Sequence, residues 1–325
     1  MKRALITGGA GFIAHHLISQ ILKNTDWEVV TLDRLDFSGN LNRLQDVLQE
    51  FSPEDRSRVR VVFHDLKAAV NPLIAADIGR VDYILHLAAG SHVVATGNIL
   101  DYARGLDHLE RFVYFSTDEV FGPAPNGILY DENDRYNSTN PYSAAKAGGE
   151  ELAVAFENTY GLPVYITHTM NVFGQRQHPE KFIPMCIKRA RDGEAITIHS
   201  DETKTIPGSR HYIHAEDVSD ALLFLLAQDT VVETGNYGGA KCPKFNIVGA
   251  EELNNLQLAQ IIADVQGKEL KYDMVDFHST RPGHDLRYAL SGEKMRKMGW
   301  EPENIRDRIR EVVEWTLANE RWIKL

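Results

Sequence analysis

The sequence predicts an α/β fold, a doubly wound parallel sheet with a smaller C-terminal lobe. Short apolar runs rich in β-branched residues recur through the first half ("RALIT", "EVVTLD", "VRVVFHD", "VDYILHLA", "RFVYFS", "PVYITH"). Strands buried on both faces of a parallel sheet read this way. Helix-patterned stretches alternate with them, among them "GFIAHHLISQILKN", "NILDYARGL" and "PYSAAKAGGEELAVAFENTYG". A βαβα succession of this kind winds a sheet on both faces. A glycine cluster, "TGGAG", divides the first strand from the first helix.

That cluster fits two spacings of one fingerprint, Gly9-x-Gly11-x-x-Ala14 and Gly8-x-x-Gly11-x-x-Ala14. Glycines there let the backbone turn tightly and approach a pyrophosphate, which rests on the N–H groups opening the helix. Gly8, Gly11, Phe12 and Ile13 are the expected contacts. The second strand ends at Asp33, 22 residues past Gly11, where an acid that binds ribose hydroxyls belongs. A carboxylate there repels a 2′-phosphate and favours NAD over NADP, although Arg34 follows it directly. Asp65 and Leu66 after the third strand, and Leu87, Ala88 and Ala89 after the fourth, are expected on the adenine and ribose side.

After residue 170 the pattern loosens into loops rich in Gly, Pro and charge, separating helices such as "AEDVSDALLFLLAQ" and "NLQLAQIIADVQG". The expected division is a nucleotide-binding domain over 1–170, with 211–245 returning to it, and a substrate lobe from 171–210 and 246–325. Composition narrows the function. The 325 residues carry a formal net charge of -11, which disfavours a nucleic-acid or anionic-membrane surface. The two cysteines, Cys186 and Cys242, lie far apart without metal-ligand spacing, and the thirteen histidines are scattered, so no metal is expected. No apolar run approaches the ~20 residues that span a bilayer. The N-terminus enters a strand pattern at once, and the expected location is the cytoplasm.

Two further features carry chemistry. In "FSTDEVFG" an apolar strand ends at Ser116 and Thr117, and Asp118 and Glu119 follow side by side. Taken alone, this reads as a helix start with a solvated acidic turn. Tyr142-x-x-x-Lys146 places a phenol and an ammonium on one helix face, where the cation can lower the phenol's pKa. The spacing recurs at Tyr237 and Lys241 across paired glycines, so context has to decide between the copies.

In context, these residues resemble the extended short-chain dehydrogenase/reductases, of Rossmann type, in the sugar-nucleotide epimerase/dehydratase branch. The resemblance covers nearly the whole chain, and within the branch it points to the nucleotide-glucose 4,6-dehydratases. It rests on "TGGAGFI", "LDRLDFSGNL", "LHLAAGSHV", "STDEVFG", "NPYSAAKAGGE", "NVFGQRQHPEKFIP", "SRHYIHAEDV", "FNIVGAEELNN" and "RPGHDLRYAL". It implies an NAD-dependent lyase that makes a 4-keto-6-deoxy sugar from a nucleoside-diphosphate glucose, dTDP-glucose first and UDP-glucose next. In that mechanism Tyr142 takes the C4 hydroxyl proton, Thr117 holds the C4 oxygen and Lys146 favours the tyrosinate. Glu119 removes the C5 proton and Asp118 protonates the leaving C6 hydroxyl. Ser91, His92, Asn171, Glu180 and Lys181 carry over to the sugar and phosphate, and Arg210, Asn246 and Arg281 to the diphosphate. A homodimer is implied through the helix near Pro141 and the one containing "NILDYARGL". A 4-epimerase or decarboxylase of the same branch is the alternative, followed by a non-catalytic NAD-binding protein.

Two departures touch base recognition: His199 replaces an expected tyrosine, and "SDETKTIPGS" is longer than usual. A third falls after "LAAGSHV", where the branch continues through about one more helix and this chain passes directly to "VATGNILDYARG". In the branch that stretch lies over the nicotinamide and the sugar. The expectation is therefore a gap in the chain, with the Cα atoms of Val93 and Val94 much farther apart than the ~3.8 Å of a trans peptide.

Overall fold

The structure, a computed structural model, describes residues 1–36, 39–88, 92–229, 231, 233–234, 240–277 and 286–324. Its chain divides into two compact units: Met1–Thr117, Tyr142–His168 and Ser219–Phe245 form the first, and Asp118–Pro141, Thr169–Val218 and Asn246–Leu325 the second.

The doubly wound sheet is present. Strands β1 (Arg3–Thr7), β2 (Glu28–Asp33), β3 (Val59–Phe63), β4 (Tyr83–His86), β5 (Arg111–Thr117), β6 (Val164–Thr169) and β7 (Lys244–Ile247) lie in the order β7-β6-β5-β4-β1-β2-β3. β1 pairs in parallel with β2 and β4, β2 with β3, and β4 with β5. Chain order reverses at β1, so the loops leaving β1 and β4 diverge there. In open sheets of this kind such a crevice takes the ligand.

One face of the sheet carries a core that includes Leu5, Leu32, Ile84, Phe112 and Ile166, all buried. Three helices matter for the site: α1 (Phe12–Asn24), α2 (His92–Ala103) and α3 (Pro141–Tyr160). A buried polar chain ties α2 and α3 to the strands. Thr7 Oγ1 meets His86 Nδ1 at 2.7 Å, and His86 Nε2 meets Thr96 Oγ1 at 3.1 Å. Thr96 hydrogen-bonds Tyr114, whose hydroxyl donates to the Lys146 carbonyl at 3.0 Å. Buried polar groups need such partners; here the first link joins strands β1 and β4, and each later one joins a helix to a strand.

The expected gap after Val93 is not there. Val93 and Val94 are consecutive residues of the continuous helix α2. The reason is in the packing. Ala95, Ile99, Leu100 and Ala103 recur at helical spacing and are all buried in the sheet's core. Twelve residues of helix therefore close the β4-to-β5 crossover without the longer stretch. The short connection belongs to the sequence itself, and it leaves Val93 and Val94 43% and 57% exposed.

In the second unit, helices Phe182–Asp192, Asn255–Val265 and Ile305–Ala318 share a core that includes Ile187, Ile198, Leu258, Ile262 and Ile309. Strand Ile196–Ser200 pairs in parallel with Tyr272–Asp276, and Ser209–His211 pairs antiparallel with Glu252–Asn254. Asn254 opens its helix with a capping box closed by Gln257. Among the described residues no helix is long and apolar enough to cross a membrane, and no cluster of three or more His, Cys, Asp or Glu could hold a metal.

Close approach of α3 to β5 requires glycine at 149, where an added Cβ would lie 2.2 Å from the Tyr114 hydroxyl. Gly149→Ala gains helix propensity worth about 1 kcal/mol. It also overpacks a buried, hydrogen-bonded side chain at a cost of about 1–3 kcal/mol. The expected outcome is a lower urea midpoint. An unchanged or higher midpoint would show that the contact relaxes freely.

Candidate active site

The nucleotide half is built on the β1–α1 turn. Gly8 adopts φ +73°, a conformation that side chains disfavour, and an added Cβ would come within 3.0 Å of Ala88 Cα. A Cβ on Gly11 would lie 2.8 Å from the Gly8 carbonyl, which already accepts from Gly11 N at 2.9 Å. Gly11 caps α1 without any side-chain bond, so Phe12 and Ile13 open the helix beneath a cradle lined only by backbone. Such a turn has the shape and polarity for a pyrophosphate.

Asp33 ends β2 and is 8% exposed. Its Oδ2 accepts from Ala10 N at 2.9 Å and its Oδ1 from Leu35 N at 2.7 Å, so the carboxylate and the glycine turn are locked together. Arg34 does not offer an open cation for a 2′-phosphate. Its Nε donates to Asp36 at 2.7 Å, and its Nη1 lies 3.9 Å from Asp65. Asp65 also accepts from Lys67 N, and Leu66 is buried. Ala88, half-buried beside Leu87, donates from its N–H to Thr7 Oγ1 at 3.2 Å. Ala89 and Ser91 lie outside the described residues, as does the side chain of His92, the first residue of α2.

The expected catalytic residues of the first unit sit where β5 meets α3. Thr117 is the last residue of β5 and is buried. Tyr142 stands in the first turn of α3, 43% exposed, and Lys146 one turn on is 3% exposed. The Lys146 ammonium donates to the Phe115 carbonyl and lies 4.5 Å from the centre of the Tyr114 ring. Burial pulls its pKa down to about 8, with Glu150 opposing part of that fall. A lysine so placed is poised to lose or hold its proton near neutral pH.

In the second unit, Asp118 and Glu119 open a 3₁₀ helix, Asp118–Phe121, directly after β5. Asp118 is 4% exposed, which does not fit a solvated acidic turn. Glu119 is half-buried and accepts from Asn140 Nδ2 at 2.8 Å. The two neighbouring carboxyls thus occupy unlike surroundings, one buried and the other half-buried and held by Asn140.

The other expected substrate residues of that unit are placed diversely. Asn171, Glu180 and Lys181 are exposed, Lys181 as the N-cap of helix Phe182–Asp192. Arg210 is half-buried over the Tyr288 ring at 4.7 Å, with Nη1 donating to the Ser209 carbonyl at 2.6 Å. Asn246 is fully buried, and its amide donates to the Tyr130 and Ser291 carbonyls at 3.2 and 3.3 Å. Arg281 lies outside the described residues.

The model of the NAD dependent epimerase/dehydratase family matches residues 4–238. The chain belongs to that family. It is 35% identical over 333 residues to low-salt glycan biosynthesis protein Agl12 of Haloferax volcanii, covering 97% of this chain and 99% of that protein. It is 33% identical over 361 residues to dTDP-glucose 4,6-dehydratase of Escherichia coli, covering 99% and 94%. A crystal structure of dTDP-glucose 4,6-dehydratase from Bacillus anthracis str. Ames in complex with NAD matches at a TM-score of 0.84. There the identity is 28%, with 99% of this chain and 98% of that chain covered.

This family is NAD-dependent, and the Gly8–Gly11 cradle, the uncapped start of α1 and the locked Asp33 carboxylate are the residues that fit NAD. Sequence reasoning missed Asn140, the partner of Glu119, which no spacing announces, and Glu150, which its place four residues past Lys146 on the same helix face could have flagged.

Asp33→Asn keeps the shape of the side chain and removes its charge and one acceptor. A lost charged hydrogen bond is worth about 1.5–3 kcal/mol. NAD affinity should therefore fall by about 10–100-fold, and the preference for NAD over NADP should narrow. Fluorescence titration with both dinucleotides measures this, and an unchanged ratio would remove Asp33 from cofactor choice.

Proposed function

We propose that the chain is a nucleotide-sugar 4,6-dehydratase, acting on dTDP-glucose first and UDP-glucose next. The observation that carries this reading is the Thr117-Asp118-Glu119 run. A buried carboxyl and a second one held by Asn140 follow directly on the strand that ends at Thr117. Epimerisation at C4 needs no acid and base at C5 and C6, whereas dehydration needs both. The likeness to dTDP-glucose 4,6-dehydratase over almost the full length supports the same choice.

NAD, when bound, supplies the oxidant for C4 and later the reductant for C6. The chain's own groups then have distinct tasks. Tyr142 accepts the C4 hydroxyl proton, Lys146 stabilises the tyrosinate, and Thr117 hydrogen-bonds the C4 oxygen. A ketone at C4 makes the neighbouring C5 hydrogen acidic. Glu119 removes that proton while Asp118 delivers one to the C6 hydroxyl, which leaves as water. This division needs Glu119 as the base and Asp118 as the acid in the same step. Asn171, Glu180 and Lys181 are assigned to the sugar and phosphate, and Arg210, Asn246 and Arg281 to the diphosphate, with Ser91 and His92 beside the sugar. We propose a cytoplasmic homodimer, a location that suits two buried, unbridged cysteines.

Incubation with dTDP-, UDP-, CDP- and GDP-linked glucose tests the reaction. A 4-keto-6-deoxy product, read by its absorbance in base, is expected from the dTDP or UDP sugar. Formation of a 4-epimer alone would overturn the reading. Glu119→Gln should lower turnover by about 10²–10⁴-fold, the contribution of a positioned general base. Reduced nicotinamide should then build up on the enzyme. Tyr142→Phe should prevent even that build-up. Normal turnover by Glu119→Gln would refute the assigned chemistry.

A further inference from the structure

The first unit buries more charge behind Lys146 than the nucleotide site needs. Glu150 is 0% exposed, on the same face of α3 one turn beyond Lys146. Three strands converge on its carboxylate. Ser116 of β5 donates its hydroxyl to Oε1, His168 of β6 lies 3.2 Å from Oε2, and Lys244 of β7 lies 3.8 Å from the same oxygen. His168 is itself 0% exposed. A buried carboxylate of this kind costs several kcal/mol in desolvation and is a poor way to gain stability alone. Burial pushes the Glu150 carboxyl up, but His168, Lys244 and Ser116 outweigh it and hold the group below its usual range. Glu150 therefore remains an anion across the neutral range.

From this arrangement we infer that Glu150 is a positioning residue whose fixed negative charge keeps the Lys146 ammonium protonated beneath Tyr142. Among the described residues, the groups shown acting on the Lys146 ammonium are the Phe115 carbonyl, the Tyr114 ring and the Glu150 carboxylate, and of these the last carries a full charge. Without it, burial alone would act on the ammonium and release its proton at lower pH. A neutral Lys146 cannot stabilise a tyrosinate. His168, Lys244 and Ser116 hold the carboxylate ionised and oriented, in the manner of a supporting shell behind a reactive group. This inference rests on the assignment of Tyr142 and Lys146 under the proposed function, yet its test needs no turnover and no sugar.

The ionisation of Tyr142 can be followed in the NAD-loaded protein by tyrosinate difference absorbance, with Tyr142→Phe identifying its signal. Wild type should show one tyrosine titrating below the ordinary value of ~10, absent in Tyr142→Phe. Glu150→Gln, which keeps shape and hydrogen-bonding capacity, should move that midpoint up by about one unit, a tenfold loss of tyrosinate at fixed pH. Glu150→Asp, which keeps the charge, should stay near wild type and remains decisive if the glutamine variant does not fold. An unmoved midpoint in folded Glu150→Gln would overturn the inference. So would a midpoint in Glu150→Asp raised by a full unit, since the effect would then follow packing rather than charge. Failure of the sugar assays with these shifts intact would instead count against the proposed reaction.

Discussion

Burying the Lys146 ammonium is the constraint on which the first unit depends. A lysine head group taken out of water must find acceptors or lose its proton. Here it reaches the Phe115 carbonyl of β5, the Tyr114 ring and the field of Glu150. That contact requires α3 to lie close on β5, which in turn requires glycine at 149 against the Tyr114 hydroxyl. Tyr114 is held by Thr96 and donates to the Lys146 carbonyl, and Thr96 belongs to a chain through His86 to Thr7 at the end of β1. The β1–α1 turn and helix α3 are thus joined through a line of buried polar groups. Stabilisation and reactivity have the same source in this unit.

Much of this was legible in the sequence, for physical reasons. Buried parallel strands need unbroken apolar runs, and "RALIT" and "EVVTLD" coincide with β1 and β2 residue for residue. The fingerprint glycines were legible because only a residue without Cβ can hold φ +73° at Gly8 with Ala88 so near. Asp33 followed from its place at a strand end. The proposed reaction was read from the acids at 118 and 119, since small residues are expected there in the branch's epimerases.

Other features were not legible. Helix Ile305–Ala318 is polar on most of its surface, and its narrow apolar stripe of Ile305, Ile309, Val312 and Val313 is seen only once the partner helices are present. The support for Glu119 by Asn140 and for Glu150 by His168 and Lys244 joins residues far apart in sequence, and no local spacing announces it. The junction at Val93 shows the opposite error. The resemblance to the branch implied missing chain, but a twelve-residue helix suffices to make the crossover. That leaves Val93 and Val94 exposed at the start of α2.

The central claim is that one active site oxidises C4, eliminates water across C5 and C6, and reduces C6 within a single binding event. Substrate carrying deuterium at C4, mixed with unlabelled substrate, tests this most directly by mass spectrometry and NMR of the product. The account predicts a 4-keto-6-deoxy sugar with deuterium at C6, transferred within the same molecule, and solvent hydrogen at C5. Deuterium retained at C4 of an epimerised sugar, or a C6 position filled from solvent, would contradict it.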